Sequence, residues 1–234
     1  MSISGIWSIL QRLGVRYKRD RNYCHSPDLH YVEKCHLLAQ ARAKVAAEPE
    51  RYALLYLDEF SFYRQPTLAN DWETVGLAQP LARRSYAPDT RCRGIGALKA
   101  LTGQLTYAWR SKISLPVLQQ FYQQLHGDYL AAELLYVVVD NWPVHFHPQV
   151  MAALVLQTLP YPPKLPASWA NLPTPPPAEN PLPIHCLCLP TYAPWLNPIE
   201  KLWRWLRQTV LHLHRLRDDW ATLKQRVDDF FNQF

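Results

Sequence analysis

The sequence predicts an α/β protein with a mixed β-sheet and helices on both faces, preceded by a short helical N-terminal segment. The segment Tyr52–Arg64 has the apolar alternation of a strand, and hairpin-forming sequence follows it. The later part of the chain alternates helical and strand patterns, which is typical of parallel strands joined by helices. With 234 residues, 48% of them hydrophobic, the chain can bury one full core.

The first 50 residues have helical periodicity. Apolar residues recur on one side of residues 4–13, and Gly14 is a typical helix stop. A second helix is predicted from Ser26-Pro27 to about Ala47, because serine and proline are common at helix starts.

The remaining elements are predicted from alternation, turn residues and helix caps. They begin with a strand at 52–64, a short strand at 72–76, a hairpin at 92–110, a helix at 114–127 and a strand at 134–139. They continue with a helix at 148–159, a strand at 184–190, a helix at 198–214 and a last helix from about 220 to 234. Ten of the 21 prolines lie in residues 160–183, so this segment is predicted to be an extended surface loop.

Charge indicates a partner class. The net charge is +6 with a pI of about 9.1, which favours a polyanionic partner because Lys and Arg contact phosphates. Five basic residues lie between Arg12 and Arg21 and five between Lys201 and Arg217, although a solvated face is the alternative explanation for each cluster. No apolar run approaches the roughly 20 residues that span a bilayer. The N-terminus lacks the charge order of a secretory signal, so we expect a cytoplasmic protein with no membrane partner.

Three acidic residues stand at informative places. Asp58 lies inside the first strand, Asp140 follows the most apolar strand, and Glu200 lies in the first turn of the helix after the last strand. If the first and fourth strands are neighbours, the two aspartates lie side by side and Glu200 approaches them. Converging carboxylates repel one another unless a cation neutralises them. Ligation by oxygen alone is typical of Mg²⁺, and two such ions can act on a phosphodiester.

Each acid also has a purely structural explanation. Asp58 and its neighbour Glu59 could both face solvent, and Asp140-Asn141 could form a turn. Glu200 stands three residues after Asn197, so the pair is close to a capping box in which the glutamate bonds back to the cap N–H. The residues alone leave both explanations open.

Three sequence blocks resemble the DDE transposases of the mariner superfamily, in its bacterial insertion-sequence branch. The blocks are LYLDEFSF around Asp58, VVVDNWPVH around Asp140 and LPTYAPWLNPIEKLWRWLR around Glu200. The third block contains the most specific signature, Tyr-x-Pro-x-Leu-Asn-Pro-Ile-Glu. The likeness runs from about residue 52 to the end, and residues 6–28 are similar to the last helix of the family's DNA-binding region and its linker.

The resemblance implies a ribonuclease H-like fold and a catalytic triad of Asp58, Asp140 and Glu200. It implies Mg²⁺ as the cofactor, with two ions expected and Mn²⁺ able to substitute. It also implies hydrolysis of a phosphodiester at the transposon end and attack of the freed 3′ hydroxyl on target DNA, with no covalent protein–DNA intermediate.

The resemblance also gives roles to residues outside the triad. Asn141, His145 and Asn197 are expected to position the metal ligands or the DNA, although a buried, satisfied histidine explains His145 equally well. The two basic clusters become candidates for contacts to the double-stranded DNA backbone. The residues expected to make these contacts are Arg16, Lys18, Arg19, Arg21, Lys201, Arg204 and Arg207.

The resemblance divides the chain into three parts. These are a remnant of a helix-turn-helix region with a basic linker at 1–25, a connecting helix at 26–50, and a catalytic domain at 51–234 with a proline-rich insertion at 160–183. Family members carry a pair of helix-turn-helix units, and one helix cannot form such a module. We therefore expect an N-terminally truncated chain, a separately encoded helix-turn-helix polypeptide and a homodimer.

Two alternative functions stay open. A ribonuclease H-like nuclease without transposon specificity would use the same three acids. An inactive transposase remnant would bind DNA without cleaving it.

Overall fold

The computed structural model describes residues 2–15, 25–76, 79–169 and 171–234. Two helices come first, α1 (Ile3–Arg12) and α2 (Tyr31–Ala47). The predicted start of α2 at residue 26 is wrong, because Ser26 and Asp28 make hydrogen bonds to the distant residue Thr191 instead of entering the helix.

The core of the molecule is a five-stranded mixed sheet. Its strands are β1 (Tyr52–Tyr63), β2 (Arg91–Lys99), β3 (Leu105–Arg110), β4 (Leu134–Val139) and β5 (Ile184–Cys188). Their order in space is β3-β2-β1-β4-β5. β2 pairs antiparallel with β1 and β3, whereas β4 pairs parallel with β1 and β5. The predicted mixed sheet and the neighbouring first and fourth strands are therefore confirmed.

Four further helices surround the sheet, and they are α3 (Leu115–Asp128), α4 (Pro148–Met151), α5 (Ile199–Leu206) and α6 (Trp220–Phe231). A π-helical turn at Arg207–Leu211 extends α5. Short 3₁₀ turns lie at Pro143–Phe146, Ala167–Trp169 and Pro194–Leu196. In the part of the chain that the structure describes, none of the helices has the length and apolarity that crossing a membrane requires.

Strand alternation divides the apolar side chains between two cores. On one face, Tyr56, Phe60 and Phe62 of β1 pack under α2, α5 and α6. On the other face, Leu55 and Leu57 of β1 pack under α3. The prediction of helices on both faces is confirmed, because successive residues of β1 are buried in opposite cores.

Three predicted elements differ from the structure. No strand forms at 72–76, where the side chains of Trp72 and Val75 are fully exposed and β2 already occupies the edge of β1. The helix predicted at 148–159 ends at Met151, because the chain turns to bridge Leu154 with Leu182 beside β5. The helix predicted at 198–214 ends as an α-helix at Leu206, and the chain beyond its π-helical turn bridges to the segment after β1.

Candidate active site

Asp58 lies on the same face of β1 as the buried aromatic rings, between Tyr56 and Phe60. The indole N–H of Trp203 donates to its Oδ2 at 2.9 Å, and the backbone N–H of Glu59 donates to its Oδ1 at 2.9 Å. Gly96 stands opposite Asp58 on β2, and the Trp203 ring lies over it. A Cβ at Gly96 would come within 2.8 Å of that ring, so glycine leaves the space in which the tryptophan reaches the carboxylate.

Asp140 follows the last residue of β4. The parallel register places Tyr56 opposite Val138, so Asp58 and Asp140 each stand two residues beyond that pair. The backbone N–H of Trp142 donates to Oδ1 of Asp140 at 2.8 Å. This bond forms the turn that the sequence allowed as a structural explanation, and it holds the carboxylate level with Asp58 in the middle of β1.

Glu200 is the second residue of α5, but the predicted cap at Asn197 is wrong. The residue at the cap position is Pro198, and no side chain caps the helix. The N–H of Asn197 donates to the carbonyl of Pro194, so it is not available to the Glu200 carboxylate. The side-chain oxygen of Asn197 is buried without a hydrogen-bond partner in the described structure. Glu200 therefore keeps its carboxylate free of the capping box.

The three acids line one cleft of about 530 Å³. Asn141, Trp142 and Asn197 also line it, and the loop Leu189–Pro194 forms a wall. The structure thus brings together the three predicted acids and two of the predicted positioning residues.

The electrostatics of the cleft follow from this convergence. Burial, followed by the negative charges of Glu200 and Asp140, raises the pKa of Asp58 to about 7, although the bond from Trp203 acts against the rise. Burial also raises the pKa of Asp140, and the backbone bond from Trp142 opposes this. About half of the Asp140 side chain is exposed, which limits the effect of burial on its charge.

His145 lies behind the cleft between two carboxylates. Its Nε2 is 3.5 Å from Oε1 of Glu59 and 3.6 Å from Oδ1 of Asp140, and its Nδ1 is 3.5 Å from the hydroxyl of Tyr122. Burial lowers the pKa of His145 to about 3, so the ring is neutral near pH 7. It is fully buried, as the structural explanation expected, and it also contacts a cleft acid.

Glu59 is the residue that sequence reasoning missed. Alternation directs it to the face opposite Asp58, where its Oε1 is buried without a hydrogen-bond partner among the described residues. Burial, then the charges of Asp58 and Asp140, raises its pKa to about 8. The sequence did show an acid next to Asp58 in an apolar strand, where alternation places it on the opposite face. Its role could not be predicted, because it depends on the contact with His145, which only the structure shows.

Two sets of hydrogen bonds fix the cleft wall. The side-chain amide of Asn141 donates to the carbonyl of Leu189 at 2.8 Å, which ties the end of β4 to the loop after β5. From the segment before α2, the hydroxyl of Ser26 donates to the Thr191 carbonyl at 2.6 Å, and the Thr191 N–H donates to Asp28 at 2.8 Å. Burial alone would raise the pKa of Asp28, but hydrogen bonds from Lys34, Thr191 and His30 lower it to about 2.

The predicted DNA-contacting residues fall into two groups. Lys201, Arg204 and Arg207 are exposed on the outer side of α5 and the turn after it, and their contact with DNA stays a prediction. The other four, Arg16, Lys18, Arg19 and Arg21, lie outside the described residues.

Comparison with known proteins gives the family. The sequence matches the family described as DDE superfamily endonuclease over residues 53–224, which is more than half of the chain. The chain belongs to this family. The matched segment of this DDE superfamily member contains nearly all of β1, the other four strands and all three cleft acids.

One curated relative of this DDE superfamily member is an insertion-element protein. It is the insertion element IS630 uncharacterized 39 kDa protein of Shigella sonnei, 23% identical over 216 residues. The alignment covers 92% of this chain and 54% of the relative, so the chain spans about half the length of that protein.

Solved structures of the Mos1 mariner protein share the fold. The Mos1 paired end complex with Mn has a TM-score of 0.61 at 15% identity, covering 100% of this chain and 64% of that chain. The Mos1 strand transfer complex has a TM-score of 0.57 at 16% identity, covering 99% and 62% of the two chains. The predicted ribonuclease H-like fold is confirmed by these matches.

Proposed function

We propose that the cleft catalyses metal-dependent hydrolysis of a phosphodiester at transposon ends and transfer of the freed strand into target DNA. The observation that carries the proposal is the meeting of three carboxylates, from β1, the end of β4 and the start of α5, in one cleft. Membership of the DDE superfamily endonuclease family supports it, and so does the likeness to Mos1 complexes solved with paired ends and after strand transfer.

The donor set of the cleft fits a hard divalent cation. Asp58, Asp140 and Glu200 offer carboxylate oxygens, which are the ligands that Mg²⁺ takes. A cation among them would relieve the repulsion that raises the pKa of Asp58. We propose Mg²⁺, replaceable by Mn²⁺, with two ions per cleft. When bound, the ions would stabilise the charge that develops as a phosphodiester is displaced.

Hydrogen bonds from neighbouring residues would orient the carboxylate ligands before a metal ion binds. Among the described residues, no three His, Cys, Asp or Glu side chains are placed so that they could hold a metal ion by themselves. Mg²⁺ usually takes one or two carboxylates and completes its coordination with water and phosphate oxygens, so the proposal requires that water or DNA supplies the remaining ligands. The Trp203 indole and the Glu59 N–H orient Asp58, and the Trp142 N–H orients Asp140. A carboxylate oxygen that accepts one hydrogen bond still has a lone pair for an ion or a proton.

We assign three supporting roles behind the acids. Asn141 keeps the cleft wall in place through its bond to Leu189. His145, neutral and buried, places its Nε2 between the carboxylates of Asp140 and Glu59, 3.6 and 3.5 Å away, and so separates them. Asn197 offers a buried oxygen with no partner among the described residues, at the edge of a cleft that would receive DNA.

Double-stranded DNA, both transposon end and target, is the proposed substrate. Lys201, Arg204 and Arg207 would contact the phosphate backbone from the outer side of α5. We also propose that the active form is a homodimer, and that a separately encoded helix-turn-helix polypeptide recognises the transposon end. Sedimentation of the chain with and without end DNA measures the first of these proposals.

A decisive test is the substitution Asp140→Asn. The change keeps the size of the side chain but removes a proposed metal ligand, so we expect Mg²⁺-dependent cleavage of end DNA to fall at least about 100-fold. DNA retention should stay nearly unchanged. Asp229→Asn, at an exposed site in α6, removes the same charge and should leave cleavage unaffected. Equal cleavage by Asp140→Asn and the unsubstituted chain would contradict the catalytic assignment.

Joined products separate the main alternatives. A transposase produces a covalent joint between a 3′-hydroxyl donor end and a target duplex in Mg²⁺ or Mn²⁺. A nuclease without transposon specificity produces cleavage with no joint, and an inactive remnant produces neither but retains DNA.

A further inference from the structure

On the α3 face of the sheet, the helical cover ends before the strands do. Ile95 and Ala108 face each other across β2 and β3 and are buried under α3. The next facing pair on the same side of the sheet, towards the end where β4 stops, is Arg93 and Arg110, and both are partly exposed. Arg91, two residues before Arg93, is exposed on the same face. We call Arg91, Arg93 and Arg110 the arginine row.

The arginine row places like charges side by side. Directly opposite side chains of an antiparallel pair have Cβ atoms about 4.5–5.5 Å apart, and like charges in such pairs are destabilising. Within residues 2–15, 25–76, 79–169 and 171–234, no carboxylate lies within 4.0 Å of any guanidinium of the row. The row therefore presents guanidinium groups without an ion pair among the described residues. Arg110 donates to the carbonyl of its neighbour Trp109 at 2.7 Å, and Arg91 and Arg110 share a groove with Asp228 of α6, whose Oδ1 accepts hydrogen bonds from Trp109 and Tyr107.

The surrounding sequence strengthens the same field. Residues 83–112 contain six Lys and Arg residues besides Lys99, which lies at the other end of β2, and a single acid, Asp89. Asp89 accepts the backbone N–H of Gln65, so its carboxylate serves the segment after β1. Guanidinium groups bind phosphate through paired hydrogen bonds, which suits a row of arginines to a phosphodiester backbone.

The position of the row relates it to the cleft. Arg93 faces Ser61, which stands three residues beyond Asp58 on β1. At about 3.3 Å per strand residue, the row lies roughly 10 Å further along the sheet than that acid. Strand alternation places the row on the side of the sheet opposite Asp58, while Arg91 and Arg110 also line a groove beside α6 at the same end. The row can therefore meet a duplex that continues past the sheet end after leaving the cleft.

We propose that the arginine row binds the backbone of duplex DNA flanking the phosphodiester held in the cleft. This inference rests on the proposed function, because it takes DNA as the substrate of the cleft. It adds a contact surface on β2 and β3 to the contacts already proposed for α5.

The test is the double substitution Arg93→Gln/Arg110→Gln in the full chain. Binding of a fluorescent DNA duplex is measured by anisotropy in EDTA across a range of salt concentrations. Each lost phosphate contact lowers the salt slope of log K by about 0.9, so we expect a decrease approaching 2 and an affinity about tenfold lower at ~0.1 M salt. Lys44→Gln/Lys99→Gln removes the same charge at the opposite end of the sheet and should leave the slope unchanged.

A second variant guards against misfolding. Arg93→Lys/Arg110→Lys keeps both charges and should restore most of the salt slope. An unchanged slope in the glutamine variant overturns the proposal, and so does an equal loss in the lysine variant. A changed oligomeric state with an unchanged DNA slope would show that the row faces an acidic segment of a second copy, which also overturns it.

These outcomes are independent of the test of the proposed function. An Arg93→Gln/Arg110→Gln chain with normal DNA affinity, alongside a cleavage-dead Asp140→Asn chain, refutes only the arginine row. Full cleavage by Asp140→Asn refutes only the catalytic assignment, because the binding measurements contain no divalent ion.

Discussion

The hydrogen bond from Trp203 to Asp58 links the buried core to the chemistry of the cleft. The Trp203 ring packs over Gly96 and stacks on Phe60, with ring centroids 4.3 Å apart, so its N–H has little freedom of direction. The bond stabilises the charged form of a carboxylate whose pKa is otherwise raised by burial and by neighbouring acids. The direction of the indole thus favours metal binding at neutral pH.

The substitution Trp203→Phe tests this coupling. Phenylalanine keeps much of the apolar packing but donates no hydrogen bond, so we expect affinity for Mn²⁺ to fall about 10- to 100-fold. Calorimetric titration with Mn²⁺ measures the affinity directly. Trp205→Phe, at a half-exposed neighbour that packs on Phe230, is the matched control. Equal Mn²⁺ affinity for the two variants would dissociate the indole from metal binding.

Sequence patterns located the three acids because each one interrupts or follows an apolar element. They did not locate Trp203 or the role of Glu59, since these depend on contacts between elements. Trp203 reaches Asp58 only because α5 packs on β1 with this ring over Gly96 of β2, and Glu59 meets His145 only through the 3₁₀ turn after β4. The spacing of residues within one element does not predict such contacts between elements.

At the scale of elements, the glycines of β2 allow the aromatic side chains and helices on that face to pack close to the sheet. Gly94 stands opposite Phe60, and a Cβ there would lie 2.3 Å from the end of that ring. The Phe60 ring in turn packs against Trp109, Trp203 and Phe231. The glycine therefore limits the distance between the sheet and the helices α5 and α6.

We expect Gly94→Ala to lower the free energy of unfolding by about 1–3 kcal/mol, because the methyl group forces the Phe60 ring out of its place. Urea unfolding followed by tryptophan fluorescence measures the change. Gly127→Ala in α3 is the control, since a Cβ there meets nothing within 4 Å and alanine favours a helix by up to about 1 kcal/mol. A Gly94→Ala chain as stable as the unsubstituted one would refute the packing argument.

The bounds of an element were predicted best where the sequence pattern within that element determines them. The five strands of the sheet and α3 have clear periodicity or caps, and their predicted bounds agree with the structure within a few residues, whereas the strand predicted at 72–76 does not form. Predicted bounds were wrong where a distant partner decides, as when the bridge between Leu154 and Leu182 ends the helix early. The start of α2 was wrong for the same reason, since Thr191 engages the residues before it.

At the scale of the whole molecule, stability depends on the protonation of the cleft. In the folded chain the pKa of Asp58 is raised to about 7 and that of Glu59 to about 8, against roughly 4 when unfolded. The folded state therefore binds more protons from about pH 4 to 8, and these groups destabilise it as pH rises. His145, with its pKa lowered to about 3, has the opposite effect up to about pH 6.5.

The clear window is therefore about pH 6.5 to 8. In EDTA we expect stability to fall across it by on the order of 1 kcal/mol, seen as a Tm lower by about 2–4 °C in a thermal scan. Saturating Mg²⁺ should reduce the fall, because it stabilises the ionised form of Asp58, and Asp58→Asn should also reduce it. The share of Glu59, which is not a proposed ligand, should persist. A Tm in EDTA that stays constant or rises over this window would contradict the proposed protonation of the cleft.

The hydrogen bonds from Ser26 and Asp28 to Thr191 have a mechanical consequence. They fasten the segment before α2 to the loop that walls the cleft, across more than 160 residues of sequence. A displacement of residue 26 would therefore move the loop at the rim of the proposed catalytic cleft directly, without first moving the sheet.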